Sequence, residues 1–506
     1  MSRRDGLESD SDLLNRLGYT QELRRRMGAF TNFSVSFSII CILAGGITAF
    51  PLALAAGGGL SVFAGWWLGS LIAITVALSM AQIASAFPTA GGLYHWASRL
   101  GGRTLGWVTA WFNLIGLVLA LASINVGLYD FFVRPQLLDA GWVEDTPHGL
   151  EQDAFVALML GVQAALNHWA PRLTDRLVDL SGMLILGLGA ILILALLSTV
   201  SLESMEWSRL LRFERNLPLG GPVSGTGGAV SDMDGAGSHR LALPALWAVL
   251  TGLILPLYTL TGFDASAHAA EETKDAARVV PKGIVRAVLW SALLGGIMVC
   301  TFVLTLENIP DAIGTGPGYL ATLLERLPGP LHWTLAAGLM LVNALCGLAC
   351  MMSTSRMVYA FARDGGLPAS SLLARVDPRR ATPGPAIWSV AVAATLLTLW
   401  ADAFAVLSTG CAVFLYLSYV SPIVAGLRAE GRSWQSKGPF DLGRLSRPCA
   451  WLAILGTAVL TLVGIQPPNQ QVLLLIAGLL AALALLWWPL GERRRFKGTP
   501  TSAARD

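Results

Sequence analysis

Residues 250–272 read LTGLILPLYTLTGFDASAHAAEE, an apolar run that is interrupted near its middle. Pro256 precedes the interruption, a Thr261-Gly262 pair lies in it, and Asp264 follows two residues after the glycine. Inside a lipid bilayer every backbone polar group needs a partner, so an interrupted helix is costly there unless it lines a cavity. This stretch therefore predicts a transmembrane helix that is broken beside a binding site.

A second interrupted apolar run lies near the start of the chain. Residues 31–56 contain Ala44-Gly45-Gly46 in their interior and Pro51 shortly after. A single glycine in such a run is more typical of close helix packing. Two breaks five spans apart are typical of carriers built from inverted repeats, because five is odd and the second set of spans starts from the opposite side of the membrane. The matched pair predicts one discontinuous helix in each repeat.

Apolar segments of membrane-spanning length recur along the whole chain. Of its 506 residues, 54% are hydrophobic and 13% are charged, against about 25% charged residues in soluble domains. A spanning helix needs about 20 mostly apolar residues. The candidates are 31–56, 61–87, 104–132, 152–169, 174–201, 241–270, 284–306, 331–361, 384–400, 402–427, 449–466 and 470–490. The predicted fold class is an all-α polytopic membrane protein with 12 transmembrane helices.

The basic residues follow the topology that these spans predict. With the N-terminus inside, all but six of the 35 Lys and Arg residues fall in cytoplasmic segments or at the inner ends of spans. The exceptions are Arg134, Arg209, Arg212, Arg215, Arg240 and Arg326. This bias follows the positive-inside rule and predicts cytoplasmic termini on a protein of the plasma membrane. Arginines also precede the first apolar run, so we expect no cleavable signal peptide.

The predicted organisation follows from the spans and the tails. In chain order it comprises an N-terminal tail (1–30), spans one to five (31–201), an external loop rich in Gly and Ser (202–240), spans six to ten (241–427), spans eleven and twelve (428–490) and a C-terminal tail (491–506). Both tails are expected to be cytoplasmic. The net charge of +3 indicates no nucleic-acid partner, and the lipid bilayer is the expected surrounding.

Asp264 is by position the acidic side chain deepest in any span. Ionisable groups inside a membrane are expensive and usually functional. Asp264 is a candidate for attracting a substrate amine, for proton coupling or for capping the broken helix, and a structural carboxylate is the alternative. Asn113 in span three and Asn343 in span eight are candidate substrate contacts, although amides in spans more often join helices.

Two further acidic residues, Glu271 and Glu272, follow at the inner end of span six. We expect them to brace a cytoplasmic gate through Lys274, Arg278 or Arg286. The candidates for ion coupling or for the gate are Asp264, Glu271, Glu272, Ser353 and Thr354.

Five stretches resemble the amino acid–polyamine–organocation permeases, and more narrowly their amino acid/choline/GABA permease branch. They are LGYTQELRRRMGAFTNFSVSFSII (17–40), FPTAGGLYHWASRLGG (87–102), GWVTAWFNLIG (106–116), GFDASAHAAEETKDAARVVPKGI (262–284) and ARDGGLP (362–368). The last two spans carry nothing diagnostic.

This resemblance implies the five-plus-five inverted-repeat (LeuT-like) fold with two trailing helices. It also implies alternating-access uptake or exchange of amino acids or related amines. In such permeases the substrate carboxylate meets freed amides of span one, here about Ile42 to Gly46, with Ala44 and Gly45 among them. The substrate amine meets carbonyls at the span-six break, here Tyr258, Thr259, Thr261 and Gly262, and Asp264 fits the acidic position of the motif.

The coupling ion stays open at this point. Some proton-coupled relatives carry a lysine in span five, but residues 174–201 contain none. A sodium site built from span-one carbonyls with Ser353 or Thr354 is one alternative, and exchange without a coupling ion is another. Either H⁺ or Na⁺ is therefore an expected partner.

Other functions are weighed against the transport of amino acids. A GABA, choline or polyamine permease is the first alternative, and a quaternary ammonium substrate would need an aromatic box, for which Tyr258, Phe263 and Trp111 are candidates. A nutrient sensor without transport is a second. An enzyme is disfavoured because no two histidines share a metal-binding helical spacing. ATP-driven transport is disfavoured because no phosphate-binding glycine loop with its lysine occurs. We expect no cofactor, no metal and no catalytic residue.

Overall fold

The structure of the chain, a computed structural model, describes residues 10–143, 149–201, 205–214, 239–400, 404–466, 469–489, 491–496 and 498–500. In these residues the backbone is helical apart from turns, connecting segments and two isolated β-bridges. The Gly/Ser-rich part of the predicted external loop, residues 215–238, lies outside the described residues, as do the ends of both tails.

The first half of the chain forms the helices of predicted spans one to five, together with short helices of the N-terminal tail and of the connecting segments. They are α1 (Asp10–Arg16), α2 (Ala29–Ile39), α3 (Gly45–Thr48), α4 (Phe50–Ala86), α5 (Gly92–Gly101), α6 (Arg103–Leu128), α7 (Arg134–Asp139), α8 (Leu150–Trp169) and α9 (Pro171–Leu197). A π-helical turn at Tyr129–Val133 joins α6 to α7, and a 3-10 turn lies at Trp207–Leu211. Non-helical backbone at Gly57 and Gly58 divides α4, so that span one ends and span two begins inside it.

The second half contains the helices of predicted spans six to twelve. They are α10 (His239–Gly252), α11 (Ile254–Thr259), α12 (Ala265–His268), α13 (Ala276–Thr305), α14 (Ile309–Thr315), α15 (Tyr319–Leu324), α16 (Gly329–Arg363), α17 (Ser370–Leu373), α18 (Gly384–Trp400), α19 (Phe404–Ala429), α20 (Ser446–Gly464), α21 (Gln471–Trp487) and α22 (Glu492–Arg495). Short 3-10 turns lie at Ala270–Glu272, Gly316–Gly318 and Gly443–Leu445.

Several of these helices are long and apolar enough to cross a bilayer. Among the described residues, the 7 that meet this requirement are Phe50–Ala86, Arg103–Leu138, Pro171–Leu197, Ala276–Thr305, Gly329–Arg363, Phe404–Ala429 and Gly443–Gly464. Large apolar side chains face outward from them, and the exposed fraction of Leu194 is 67%. The chain is an integral multi-pass membrane protein. The full number of 12 spans stays a prediction, since the remaining candidates are short, interrupted or less apolar.

The first span is interrupted one turn earlier than the sequence predicts. Helix α2 ends at Ile39 and α3 begins at Gly45, so residues 40–44 form the break and the predicted Ala44-Gly45-Gly46 only borders it. The physical reason for the difference is that Gly45 and Gly46 serve close packing and do not mark the break. A Cβ on Gly45 would lie 2.9 Å from the Cα of Thr259, and one on Gly46 would lie 2.8 Å from the side chain of Met298. Both glycines allow span six and α13 to approach.

The sixth span is interrupted at residues 260–264, between α11 and α12. Gly262 lies there with φ of +84°, a backbone conformation that glycine adopts without strain. A Cβ at this position would lie 2.2 Å from Cγ2 of Ile39, the last residue of α2. Gly262 is therefore required both for the turn and for the contact between the two interrupted helices.

The interrupted helices lie at the centre of the helix bundle. Helix α2 packs against α9, α13 and α16, while α12 packs against α2, α13 and α16. Helix α11 packs against α3, α4 and α19, and α6 packs against α16 and α19. The breaks are thus enclosed by the helices of predicted spans three, eight and ten.

We expect Gly262→Ala to lower the thermal midpoint of the protein in detergent by many degrees. A non-glycine residue in a sparsely populated backbone region costs about 1–3 kcal/mol, and overlap with buried Ile39 adds to this cost. Gly187→Ala in α9 is the matched control, because nothing lies within 4 Å of its added Cβ. An unchanged midpoint for Gly262→Ala would contradict the close approach of the two breaks.

Candidate functional site

Asp264 lies at the break of span six and joins three predicted spans. Its side chain is fully buried. Oδ2 accepts a hydrogen bond from Nδ2 of Asn113 on α6 at 2.8 Å, and Oδ1 accepts one from the hydroxyl of Tyr419 on α19 at 3.0 Å. Nε2 of His268, one turn along α12, lies 3.2 Å from Oδ2. The carboxylate therefore holds spans three, six and ten together at one point.

Side chains from neighbouring helices partner the backbone that the break of span six leaves free. The N–H of Gly262 donates to the Tyr419 hydroxyl at 3.0 Å, and the Tyr416 hydroxyl donates to the carbonyl of Leu260 at 3.3 Å. Oγ of Ser36 on α2 donates to the carbonyl of Phe263 at 2.8 Å. Polar groups from spans one and ten thus satisfy a break that would be costly if left unpartnered.

The predicted contacts Tyr258, Thr259 and Thr261 surround the same break. The hydroxyl of Thr259 donates to the carbonyl of Leu255, and that of Thr261 donates to the carbonyl of Tyr258, both at 2.7 Å. These two hydroxyls donate to backbone of their own span, and their oxygens can still accept a hydrogen bond. The Tyr258 hydroxyl lies 2.9 Å from Oγ of Ser123 on α6.

Span eight supplies hydrogen-bond donors to the break of span one. Nδ2 of Asn343 donates to the carbonyl of Leu43 at 3.3 Å, and Sγ of Cys346 donates to the carbonyl of Ile39 at 3.6 Å. Asn343 therefore lies at the break, as Asn113 lies at Asp264. Only Nδ2 of each amide is used in this way, because Oδ1 of Asn113 and Oδ1 of Asn343 are buried without a hydrogen-bond partner among the described residues.

Ser353 and Thr354, predicted to pair with span-one carbonyls, lie on α16 beyond Cys346, which reaches Ile39. The Thr354 hydroxyl donates to the carbonyl of Cys350 in its own helix at 2.7 Å. The Ser353 hydroxyl is buried and has no hydrogen-bond partner among the described residues. A role of these two side chains in ion coupling stays a prediction.

The three aromatic candidates for a quaternary-ammonium box contact different partners. The ring centroid of Phe263 lies 4.7 Å from that of Tyr419, and that of Tyr258 lies 5.8 Å from that of Phe404. Trp111 lies 6.1 Å from Phe361 and lines an apolar groove between α6, α18 and α21. None of these contacts joins two of the three rings.

Glu271 and Glu272 are buried at the inner end of span six, with partners other than those the sequence predicts. Oε1 of Glu272 lies 2.9 Å from Nε of Arg356, and its Oε2 lies 3.0 Å from Arg26. Glu271 pairs with Arg363 at 3.1 Å. Both carboxylates turn inward toward α16, whereas the expected partner Arg278 lies outside and approaches Asp275 at 3.8 Å.

Residues 17–28, which we name the N-terminal strap, cover these ion pairs at one end of the bundle. Arg25 donates to the carbonyls of Ala270 and Thr273, and Met27 forms a β-bridge with Thr273. The hydroxyl of Tyr19 donates to Asp364 at 2.9 Å, as does that of Tyr94. The strap therefore joins spans one, six and eight at this end.

Sequence reasoning missed His268, Tyr416, Tyr419 and Arg356 as members of this site. The spacing of Asp264 and His268 was a readable signal, because residues four apart lie on the same face of a helix. Tyr419 and Arg356 gave no local signal, since they come from distant helices. Among the described residues, no group of three or more His, Cys, Asp or Glu side chains is arranged to hold a metal ion.

The docking of the strap should depend on pH through Asp364. Burial raises the pKa of this carboxyl to about 6, although Arg363, Tyr19 and Tyr94 oppose the shift. A released strap would return the pKa toward about 3.9, so the docked state binds the proton more tightly. Docking is then strongest below about pH 4 and weakens as the pH rises through about 6.

We expect hydrogen exchange in residues 17–28, corrected for its intrinsic rate, to be faster at pH 7.5 than at pH 5. Asp364→Asn should remove this difference, because the amide does not titrate. Asp377→Asn is the control, since Asp377 is paired with Arg380 at 2.8 Å on the surface. Equal protection of the strap at both pH values in the unmodified protein would show that Asp364 does not govern docking.

Comparisons with known proteins match the whole chain. A sequence model of the family described as "Amino acid permease" matches residues 28–488. Amino-acid permease BAT1 of Arabidopsis thaliana is 29% identical over 97% of this chain and 96% of its own length. Its homolog in Oryza sativa subsp. japonica is 30% identical over 97% and 95%. A GABA-specific permease of Saccharomyces cerevisiae is 28% identical over 92% and 79%.

Proposed function

This chain belongs to the amino acid permease family, and on that premise we propose that it moves amino acids across the cell membrane by alternating access. It is an amino acid transporter and not an enzyme. Alternating access requires a mid-membrane site that is reached from each side in turn. The observation that carries the proposal is the contact of the two interrupted helices beside buried Asp264.

The proposed substrate site lies between the two breaks. The substrate carboxylate meets backbone N–H groups of residues 42–46, and its ammonium group meets carbonyls of residues 258–262. Asp264 holds span six against spans three and ten beside the ammonium group.

An amino acid is favoured over choline as the substrate. A primary ammonium group needs hydrogen-bond acceptors, which interrupted backbone supplies, whereas a quaternary ammonium needs converging aromatic rings. The rings of Tyr258, Phe263 and Trp111 have separate partners. GABA is the second candidate, because it shares both charged groups with an amino acid and a related permease bears its name.

We assign the chain 12 spans, with five-plus-five inverted repeats, two trailing helices and cytoplasmic termini. The matched packing of the helices supports this assignment. In a five-plus-five repeat, spans three, four and five (α6, α8 and α9) correspond to spans eight, nine and ten (α16, α18 and α19). The contact of α6 with α19 then corresponds to that of α16 with α9, and the contact of α6 with α18 corresponds to that of α16 with α8. The pairs α4 with α13 and α8 with α18 join equivalent members of the two halves.

Purified protein in liposomes tests this function. Labelled alanine, glutamate, arginine, GABA, choline and putrescine are each preloaded and exchanged against the same unlabelled compound. Proton and sodium gradients are then imposed separately, and accumulation is measured. Exchange or accumulation of at least one amino acid is the expected result. The proposal fails if none of the six compounds exchanges or accumulates under any gradient.

We expect Asp264→Asn to abolish or strongly reduce transport while the folded yield stays near normal. The amide is nearly isosteric, but it removes a charged hydrogen-bond acceptor, and such a bond contributes about 1.5–3 kcal/mol. A fall of roughly 10- to 100-fold in uptake rate follows, since about 1.4 kcal/mol corresponds to tenfold. Asp311→Asn in exposed α14 is the matched control. Unchanged uptake kinetics would show that Asp264 is dispensable.

A further inference from the structure

Both ring nitrogens of His268 are engaged inside the protein. Nδ1 lies 3.1 Å from the carbonyl oxygen of Ala90, and Nε2 lies 3.2 Å from Oδ2 of Asp264. A carbonyl oxygen can only accept, so Nδ1 must carry a hydrogen. A neutral imidazole has a single N–H, and that hydrogen is then used at Ala90. The contact with Asp264 needs a second proton.

The second proton lies on Nε2 of His268 or on Oδ2 of Asp264. Without it, the Nε2 lone pair would face a carboxylate lone pair at 3.2 Å, in a site from which solvent is excluded. Such a buried and uncompensated contact is strongly unfavourable. In the closed conformation the pair therefore holds one proton and is neutral as a unit.

The packing around His268 keeps the ring in this orientation. His268 is 1% exposed, and a Cβ on Gly92 would lie 3.4 Å from both Nδ1 and Cε1 of the ring. The N–H of Ala90 donates to Glu271, whose carboxylate is paired with Arg363. His268 thus lies between the substrate region and the ion pairs of the cytoplasmic side.

Few other ionisable groups face the pair. Tyr419 and Cys411 approach from α19 and Cys350 from α16, and phenols and thiols are neutral near pH 7. Helix α2 contributes Ser36, which does not titrate. From α13, Gly283 packs on Ser266 of α12. The acidic side chains of the adjoining turn are already bound to arginine, as Glu272 is to Arg356.

We propose that the Asp264–His268 pair is the binding site of a proton that is transported together with the substrate. This inference rests on the proposed transport function and names its coupling ion. The proton enters from outside with the substrate and completes the hydrogen-bonded chain from Asp264 through His268 to Ala90. When the proton is released to the cytoplasm, these hydrogen bonds are lost, and residues 87–91 then separate from span six.

The break of span one favours a proton over sodium. A sodium ion there would need free oxygen ligands, because hard cations bind oxygen. Instead the carbonyl of Leu43 accepts the amide of Asn343, and the carbonyl of Ile39 accepts the thiol of Cys346. Two carbonyls of this segment are thus already used by donors from span eight.

Proteoliposomes with an internal pH dye and a potassium–valinomycin clamp test the coupling directly. Each of the six labelled compounds is offered with the external pH two units below the internal pH. At one proton per substrate, a compound that exchanges should accumulate up to about tenfold per pH unit, and the interior should acidify as it enters. Accumulation driven by sodium but not by the proton gradient would overturn the inference.

His268→Gln removes the titratable proton but keeps an amide that can donate to Ala90. We expect its accumulation ratio under the pH gradient to fall to about 1, and its substrate-dependent acidification to vanish, when both are normalised to its exchange rate. His332→Gln, at the outer end of α16, is the matched control and should keep both signals. If His268→Gln still accumulates substrate and moves protons, the pair is not the coupling site.

The outcomes separate this inference from the function on which it rests. Exchange without accumulation under any gradient overturns the proton site and leaves the transporter intact. Absence of both exchange and accumulation for all six compounds overturns the transport function itself. If His268→Gln does not fold, the gradient experiment on the unmodified protein still decides between proton, sodium and exchange.

Discussion

Interrupted backbone inside a membrane must find hydrogen-bond partners within the protein, and the centre of this bundle is arranged around that constraint. Residues 40–44 and 260–264 break their helices. Donors and acceptors reach them from neighbouring spans, notably Tyr416 and Tyr419 of α19 and Asn343 of α16. Because each partner comes from a different helix, satisfying the breaks also fixes which helices surround the site.

The same arrangement links the centre to the ion pairs at the end of the bundle that the N-terminal strap covers. Asp264 and His268 lie on one face of α12, and the turn that follows carries Glu271 and Glu272. These carboxylates are neutralised by arginines of α16 and by the N-terminal strap. A buried ion pair is costly to break by removing one partner. When α12 moves away from α16, water must therefore replace the arginine partners of these carboxylates. The proposed gate and the proposed substrate region therefore both involve one short segment, α12 and the turn that follows it.

The sequence predicted those features that depend on residues close to one another in the chain. Apolar runs located the helices to within a few residues, apart from the polar first turns of α13. The need for a positive φ explains why Gly262 marks its break. The break of span one was misplaced by a turn, because Gly45 and Gly46 serve packing against distant residues. The partner of Glu272 was missed because Arg356 lies 84 residues further along the chain. Contacts of that kind depend on the tertiary fold and have no local pattern.

The most direct test of the proposed substrate site is a structure determined with a transported amino acid bound. The account predicts density between the two breaks, with the carboxylate against backbone N–H groups of residues 42–46 and the ammonium group against carbonyls of residues 258–262. Density elsewhere, for example in the apolar groove between α6, α18 and α21, with none between the breaks, would contradict it.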